Sequence, residues 1–120
     1  MMEQKLKVYQ MNFDGEIDAA MMAEIGRVIG QLIKGEMYGL IMNFEAVDHI
    51  HFTILPVLVS EQKRLQSFGG DIRLAMMSEY LKDIFRTTGV LEKFLVFDTV
   101  AQAAKSFGVS KTITNLPLGL

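Results

Sequence analysis

Hydrophobic residues in the first third of the chain change from a spacing suited to a strand to one suited to a helix. Residues 6–13 mix β-branched and aromatic residues with polar ones, which predicts a strand that leaves through a turn at Asp14-Gly15. Over residues 17–36 apolar residues recur every three or four positions, which predicts an amphipathic helix capped by Asp18 and stopped by Gly35. The apolar positions of this helix are Met21, Met22, Ile25, Val28, Ile29, Leu32 and Ile33.

The same alternation continues to the end of the chain. Further strands are predicted over residues 38–44, 71–77 and 93–97, and further helices over residues 53–68, 78–89 and 99–108. Ser78 is a predicted helix cap, and Thr99 followed by Gln102 has the spacing of a capping box. Strands that alternate with helices through short connections indicate an α/β fold built on a mostly parallel sheet.

Composition places this fold in a single soluble domain. The chain has 120 residues, of which 50% are hydrophobic and 22% charged, which suits one globular core. A net charge of −2 argues against nucleic acid or an anionic membrane as partner, and the absence of cysteine excludes disulfides and thiolate catalysis. No apolar run approaches the roughly 18 residues of a membrane span. We therefore expect a soluble, cytoplasmic protein.

Candidate chemistry is concentrated at one strand-to-helix connection, where Asp48, His49 and His51 precede the second helix. Two histidines two residues apart on a strand face the same side, so a metal or small-ligand sensor is one hypothesis. A metal site needs a third ligand, which nothing nearby clearly supplies. Glycine-rich phosphate loops and nucleophile elbows are absent from the sequence, so we expect neither an enzyme nor a bound cofactor.

Several segments resemble the STAS domain family, the sulfate transporter and anti-sigma factor antagonist domains. The resemblance spans residues 8–107 and rests on "FDGEIDAA", on an apolar strand, on "QKRLQSFGGDIRLA" and on "GVLEKFLVFDTVAQAAKSF". It implies one small α/β domain over residues 1–108, with a mostly parallel, mixed sheet and about four helices, followed by a tail over residues 109–120. It also implies a non-enzymatic module that binds other proteins in bacterial signalling and transcription regulation.

The functional motif of that family is replaced in this sequence. Family members carry Asp-Ser-Ser-Gly or Asp-Thr-Ser-Gly at the start of the second helix, and a partner kinase phosphorylates the first hydroxyl. An ungapped alignment puts His51, Phe52, Thr53 and Ile54 at these four positions. Phe52 cannot accept a phosphate. Thr53 is then either a displaced phosphoacceptor or, as hydroxyl residues before helices commonly are, an N-cap.

The start of the second helix carries a broad apolar band. Ile54, Leu55, Val57, Leu58 and Val59 cover more of the helix than the usual buried stripe, so some of them are expected to be exposed. We predict a partner-binding surface there, made of His51, Phe52, Thr53, Ile54, Leu55 and Leu58. The expected partner is a protein, either an anti-sigma factor, a related kinase-like regulator or a second copy of the chain. The alternative is that Ile113, Leu116 and Leu118 of the tail cover the band.

Overall fold

Four strands alternate with four helices in the structure, a computed structural model that describes residues 7–114. The strands are β1 (Val8–Ile17), β2 (Gly39–Ile50), β3 (Asp71–Ala75) and β4 (Val96–Phe97). The helices are α1 (Ala19–Lys34), α2 (Leu55–Gln66), α3 (Glu79–Thr87) and α4 (Val100–Ser106). Short 3₁₀ turns occupy Phe52–Ile54 and Leu91–Lys93. The predicted order of elements is confirmed.

The four described strands form one sheet in the order β1-β2-β3-β4, and every neighbouring pair is parallel. The predicted α/β class with a mostly parallel sheet is therefore confirmed. Because parallel strands all end at the same edge of a sheet, the connections that follow β1, β2 and β3 lie together at that edge. The candidate chemistry after β2 lies there too.

Both faces of the sheet are covered, but unequally. Leu40 and Met42 of β2 lie in the main hydrophobic core, to which α1, α2 and α3 contribute. Ile41, between them, belongs to a smaller cluster with Ala103 and Ala104 of α4. Since successive strand residues point to opposite faces, three helices pack on one side of the sheet and α4 on the other.

The helix ends follow the sequence signals. Asp18 and Ser78 each accept a hydrogen bond from the backbone N–H three residues later, at 2.9 and 3.1 Å. Thr99 and Gln102 form the predicted capping box, in which each side chain accepts a bond from the other's backbone N–H. Gly35 is the C-cap of α1, as predicted. These local hydrogen bonds explain why helix positions could be predicted well from sequence.

Two strand ends differ most from the prediction, those of β1 and β2. The turn predicted at Asp14-Gly15 is wrong, because β1 continues through it to Ile17 with two irregularities in its register against β2. Gly15 has a φ of +78°, a conformation that glycine adopts in strand bulges as well as in turns. In the same way β2 extends to Ile50, well past the predicted end at Phe44, because the ladder with β1 continues.

The start of the tail adds to the sheet at the outer edge of β1. Ile113 donates its N–H to the Val8 carbonyl at 2.9 Å and accepts the Gln10 N–H at 2.8 Å. These residues lie at the amino end of β1, whereas α2 begins at the opposite end of the sheet. Ile113 is therefore not the predicted cover of the apolar band, and Leu116 and Leu118 lie outside the described residues.

Met76 follows β3 in the left-handed region of backbone conformation, with a φ of 63°. A Cβ atom there costs roughly 1 kcal/mol relative to glycine. We therefore expect Met76→Gly to be more stable than Met76→Ala by about 1 kcal/mol, the reverse of the order at an ordinary strand position. Both variants remove the side chain beyond Cβ, so urea unfolding of the pair measures the effect of a Cβ atom at this position. An alanine variant more stable than the glycine variant would contradict the assigned conformation.

Candidate protein-docking site

The connection from β2 to α2 is fixed at both of its ends. The His51 N–H donates to the Ile17 carbonyl at 3.0 Å, which ties the end of β2 to the end of β1. The Ile54 N–H donates back to the His51 carbonyl at 3.0 Å and closes a 3₁₀ turn. Pro56 follows in the first turn of α2, where its missing N–H leaves no hydrogen bond unmade. Phe52 and Thr53 are thereby held at the carboxyl edge of the sheet.

The apolar band divides into a buried side and an exposed side. Ile54, Leu55 and Leu58 are at most 5% exposed and belong to the main core. Their assignment to the partner-binding surface is corrected, because all three side chains pack into the main core. Phe52 is 63% exposed and Val57 is 49% exposed. The expectation that part of the band is exposed is confirmed.

Thr53 does not cap a helix. The N-cap residue of the 3₁₀ turn is His51 and that of α2 is Ile54, and neither makes a side-chain cap hydrogen bond. The N-cap interpretation is therefore wrong, since the 3₁₀ turn shifts the start of α2 to Leu55. The Thr53 side chain is exposed.

The two histidines face the same side, as their spacing predicts, and join a small polar cluster. Their ring centroids lie 5.4 Å apart. His49 Nδ1 lies 2.7 Å from the Tyr80 hydroxyl, and His51 Nε2 lies 3.4 Å from a carboxylate oxygen of Glu16. No local sequence pattern marks Tyr80 from α3 or Glu16 from β1, because both reach the site only through tertiary contacts.

The residues of the alternative metal hypothesis, Asp48, His49 and His51, form no metal-binding group in the described chain. Asp48 is exposed and lies at a register irregularity of β2 against β1, between Val47 and His49. Within residues 7–114 no group of three His, Asp or Glu side chains is arranged to hold a metal ion. The geometry therefore does not support the metal version of the sensor hypothesis.

A groove of about 450 Å³ runs between α1 and α2 beside the exposed residues. Thr53 and Val57 line it from one side and Gly26 from the other. A Cβ atom at Gly26 would lie only 2.7 Å from a carboxylate oxygen of Glu61, so the glycine allows Glu61 to lie across α1. Glu61 pairs with Arg64 at 3.1 Å. Phe52 precedes Thr53, which lines the groove, in the same 3₁₀ turn.

We call His51, Phe52, Thr53 and Val57 the docking surface. Three of these residues follow one another along the chain, and Thr53 and Val57 line the same groove. His49 and Tyr80 border the surface through the contact between the two histidines.

Comparison with known proteins decides the family. The family model for the STAS domain matches residues 1–103. The chain is a STAS domain. The resemblance noted in its sequence is confirmed, and the described part of this STAS domain, residues 7–114, contains no helix both long and apolar enough to cross a membrane. Its sequence matches no curated protein.

Solved structures support the same fold. The unphosphorylated anti-sigma factor antagonist SpoIIAA is 17% identical, with a TM-score of 0.74 over 92% of this chain and 96% of that one. A putative anti-sigma factor antagonist from Thermotoga maritima is 18% identical, with a TM-score of 0.76 over 88% and 92%. A sulfate transporter family protein from Wolinella succinogenes is 19% identical, with a TM-score of 0.75 over 89% of each chain. At such identities these likenesses establish the fold of this STAS domain and no more.

Proposed function

We propose that this STAS domain is a non-enzymatic interaction module of the bacterial cytoplasm that binds a protein partner through the docking surface. The partner is an anti-sigma factor or a related kinase-like regulator, and the outcome is regulation of transcription. The observation that carries the proposal is the exposed Phe52, held at the carboxyl edge of the sheet by the backbone bonds of His51. SpoIIAA and the Thermotoga protein are named as anti-sigma factor antagonists, which supports this class of partner.

Physical chemistry favours Phe52 as the anchor of an interface. A large aromatic side chain left 63% exposed gains little from the fold and retains most of its apolar area for a partner. Val57, in the first turn of α2, adds a second exposed apolar side chain. Residues of this kind, clustered in one patch, carry most of the binding energy in typical protein interfaces.

Phe52→Ala is expected to abolish partner binding and leave the fold intact. Loss of an aromatic anchor typically weakens an interface by 2 kcal/mol or more, about 30-fold in affinity. An exposed residue contributes only about 0.5 kcal/mol to stability. The matched control is Phe68→Ala, which removes a phenylalanine 48% exposed and stacked on Tyr38 beyond the far end of α2. Affinity capture with the wild-type chain identifies the partner, and calorimetry with both variants measures the loss.

Equal loss of affinity in the two phenylalanine variants would contradict the proposal. So would full binding by Phe52→Ala while circular dichroism and urea unfolding match the wild type. In either case the partner would bind elsewhere on the domain.

Regulation by phosphate at the family position is not expected in this chain. In the alignment with the family motif, Phe52 stands at the position of the phosphoacceptor. His51 and Ile54 stand at the positions of the aspartate and the glycine. We expect protein isolated from its own cells to carry no phosphate at residues 51–54, and Phe52→Ser alone not to restore phosphorylation. Peptide mass spectrometry measures both. Substantial phosphate on Thr53, lost in Thr53→Ala, would instead make Thr53 the displaced phosphoacceptor.

A further inference from the structure

Charge is unevenly distributed along the segments that form the carboxyl edge of β1 and β2. Residues 12–18 and 43–60 contain five carboxylates and neither a lysine nor an arginine, although the whole chain has 14 acidic and 12 basic residues. The five carboxylates are Asp14, Glu16, Asp18, Glu45 and Asp48. The remainder of the chain thus carries more cations than carboxylates. These two segments include every residue of the docking surface.

Carboxylates elsewhere in the described chain are commonly neutralised, whereas those at this edge are not. Ion pairs of the helices join Glu24 to Arg27, Glu61 to Arg64, Glu79 to Lys82 and Asp83 to Arg86. Within residues 7–114 neither Asp14 nor Asp48 has a cationic group within ion-pair distance, and Glu16 has only His51. All three side chains are exposed. The edge therefore carries uncompensated negative charge.

This negative charge borders the docking surface directly. The Glu16 carboxylate lies 3.4 Å from His51 Nε2, and His51 is the first residue of the docking surface. In the β1–β2 register Glu16 lies opposite His49, and Asp14 lies opposite Ala46. Asp48 stands on β2 three residues before His51. The docking surface thus has one carboxylate, Glu16, beside its first residue and another, Asp48, close by along β2, and neither has a Lys or Arg partner within the described chain.

We propose that the docking surface binds a positively charged protein segment, with an apolar side chain against Phe52 and Val57 and lysines or arginines opposite Glu16 and Asp48. This inference rests on the proposed function and specifies the chemistry of its partner. Complementary charge accelerates encounter and excludes like-charged partners, and its effect falls as salt rises. Anionic lipid and nucleic acid are repelled by the same carboxylates.

The test is an NMR titration of the full chain with two helical peptides of equal length, one of lysine and leucine and one of glutamate and leucine. We expect the lysine peptide to shift the amide signals of residues 14–17 and 48–57, and the glutamate peptide to shift neither group. Raising NaCl from about 0.05 to about 0.5 M, which shortens the screening length several-fold, should weaken the lysine peptide at least tenfold.

Two charge-matched variants identify the carboxylates that matter. Glu16→Gln with Asp48→Asn should weaken the lysine peptide several-fold. Asp83→Asn with Glu92→Gln, which removes two exposed charges on and after α3, should leave its affinity unchanged. Both double variants change the net charge equally, so a difference between them cannot come from overall charge.

Several outcomes would overturn the charge inference. These are equal binding of both peptides, equal effects of the two double variants, or signal shifts confined to α3. Light scattering that shows a dimer, with Phe52→Ala monomeric, would make a second copy the occupant. The proposed function is contradicted by a different result, which is full binding of the captured partner by Phe52→Ala. Failure of the charge inference and failure of the proposed function are therefore distinguishable.

Discussion

Leu55→Asp is expected to unfold the domain. Leu55 is the first residue of α2, is fully buried and lies in the main core with α1 and α3. An unpaired carboxylate in such a site costs several kcal/mol, on top of the lost packing of the leucine. A domain of this size is stabilised by only about 5–15 kcal/mol in total. Leu55→Ala, which removes packing alone, should lower the free energy of unfolding by about 2–5 kcal/mol.

Val57→Asp is the matched control for Leu55→Asp on the same helix. Val57 lies two residues further on, is 49% exposed and should tolerate the charge with the fold intact. Circular dichroism and urea unfolding of the three variants measure the contrast. A folded Leu55→Asp variant with a wild-type transition would show that the face of α2 assigned to the core is the exposed one.

Gly70→Ala is expected to be the most costly of the small substitutions in this chain. Gly70 precedes β3, and a Cβ atom there would lie 1.9 Å from the Tyr38 carbonyl oxygen and 2.6 Å from the Tyr38 Cβ. The same carbonyl accepts the Asp71 N–H at 3.1 Å, which helps to bring β3 beside β2. Because the obstructing atoms are backbone or close to it, no rotamer change relieves the clash. We expect a loss of about 3 kcal/mol or more.

Gly35→Ala is the control for the Gly70 variant. The nearest atoms to a Cβ at Gly35 are carbonyl oxygens at 3.6 Å, an ordinary contact, and its φ of −87° suits any residue. Its free energy of unfolding should change by less than about 1 kcal/mol. Equal midpoints of urea unfolding for the two alanine variants would contradict the close approach of Gly70 to Tyr38.

The parts of the fold that depend on local signals were predictable from the sequence. Asp18, Ser78 and Thr99 bond to backbone within three residues, so their spacing alone marks the helix starts. The course of β1 past Gly15 was not predictable in this way. Asp-Gly is typical of a turn, and only the ladder with β2, formed by residues more than 30 positions away, keeps the chain extended there.

The position of the candidate site in the fold was predictable from the sequence, but the set of side chains that form it was not. The sequence indicates the β2–α2 connection, and Phe52 and Thr53 are exposed there as the prediction requires. Leu55 and Leu58 were assigned to the wrong side, because a helix that is apolar on more than one face does not reveal which face packs on the sheet. Tyr80 approaches His49 across 31 residues of sequence, and no local pattern marks such a contact.

Amide mapping of this STAS domain with its own partner tests the central claim most directly. The partner obtained by affinity capture is titrated into isotopically labelled chain, and the perturbed amide signals are placed on the structure. We predict that the largest changes fall on residues 49–57, with Phe52 and Val57 among them, and that Phe52→Ala removes them. Changes centred on Phe68 and Tyr38, or on α4, with residues 49–57 unperturbed, would contradict the assignment of the docking surface.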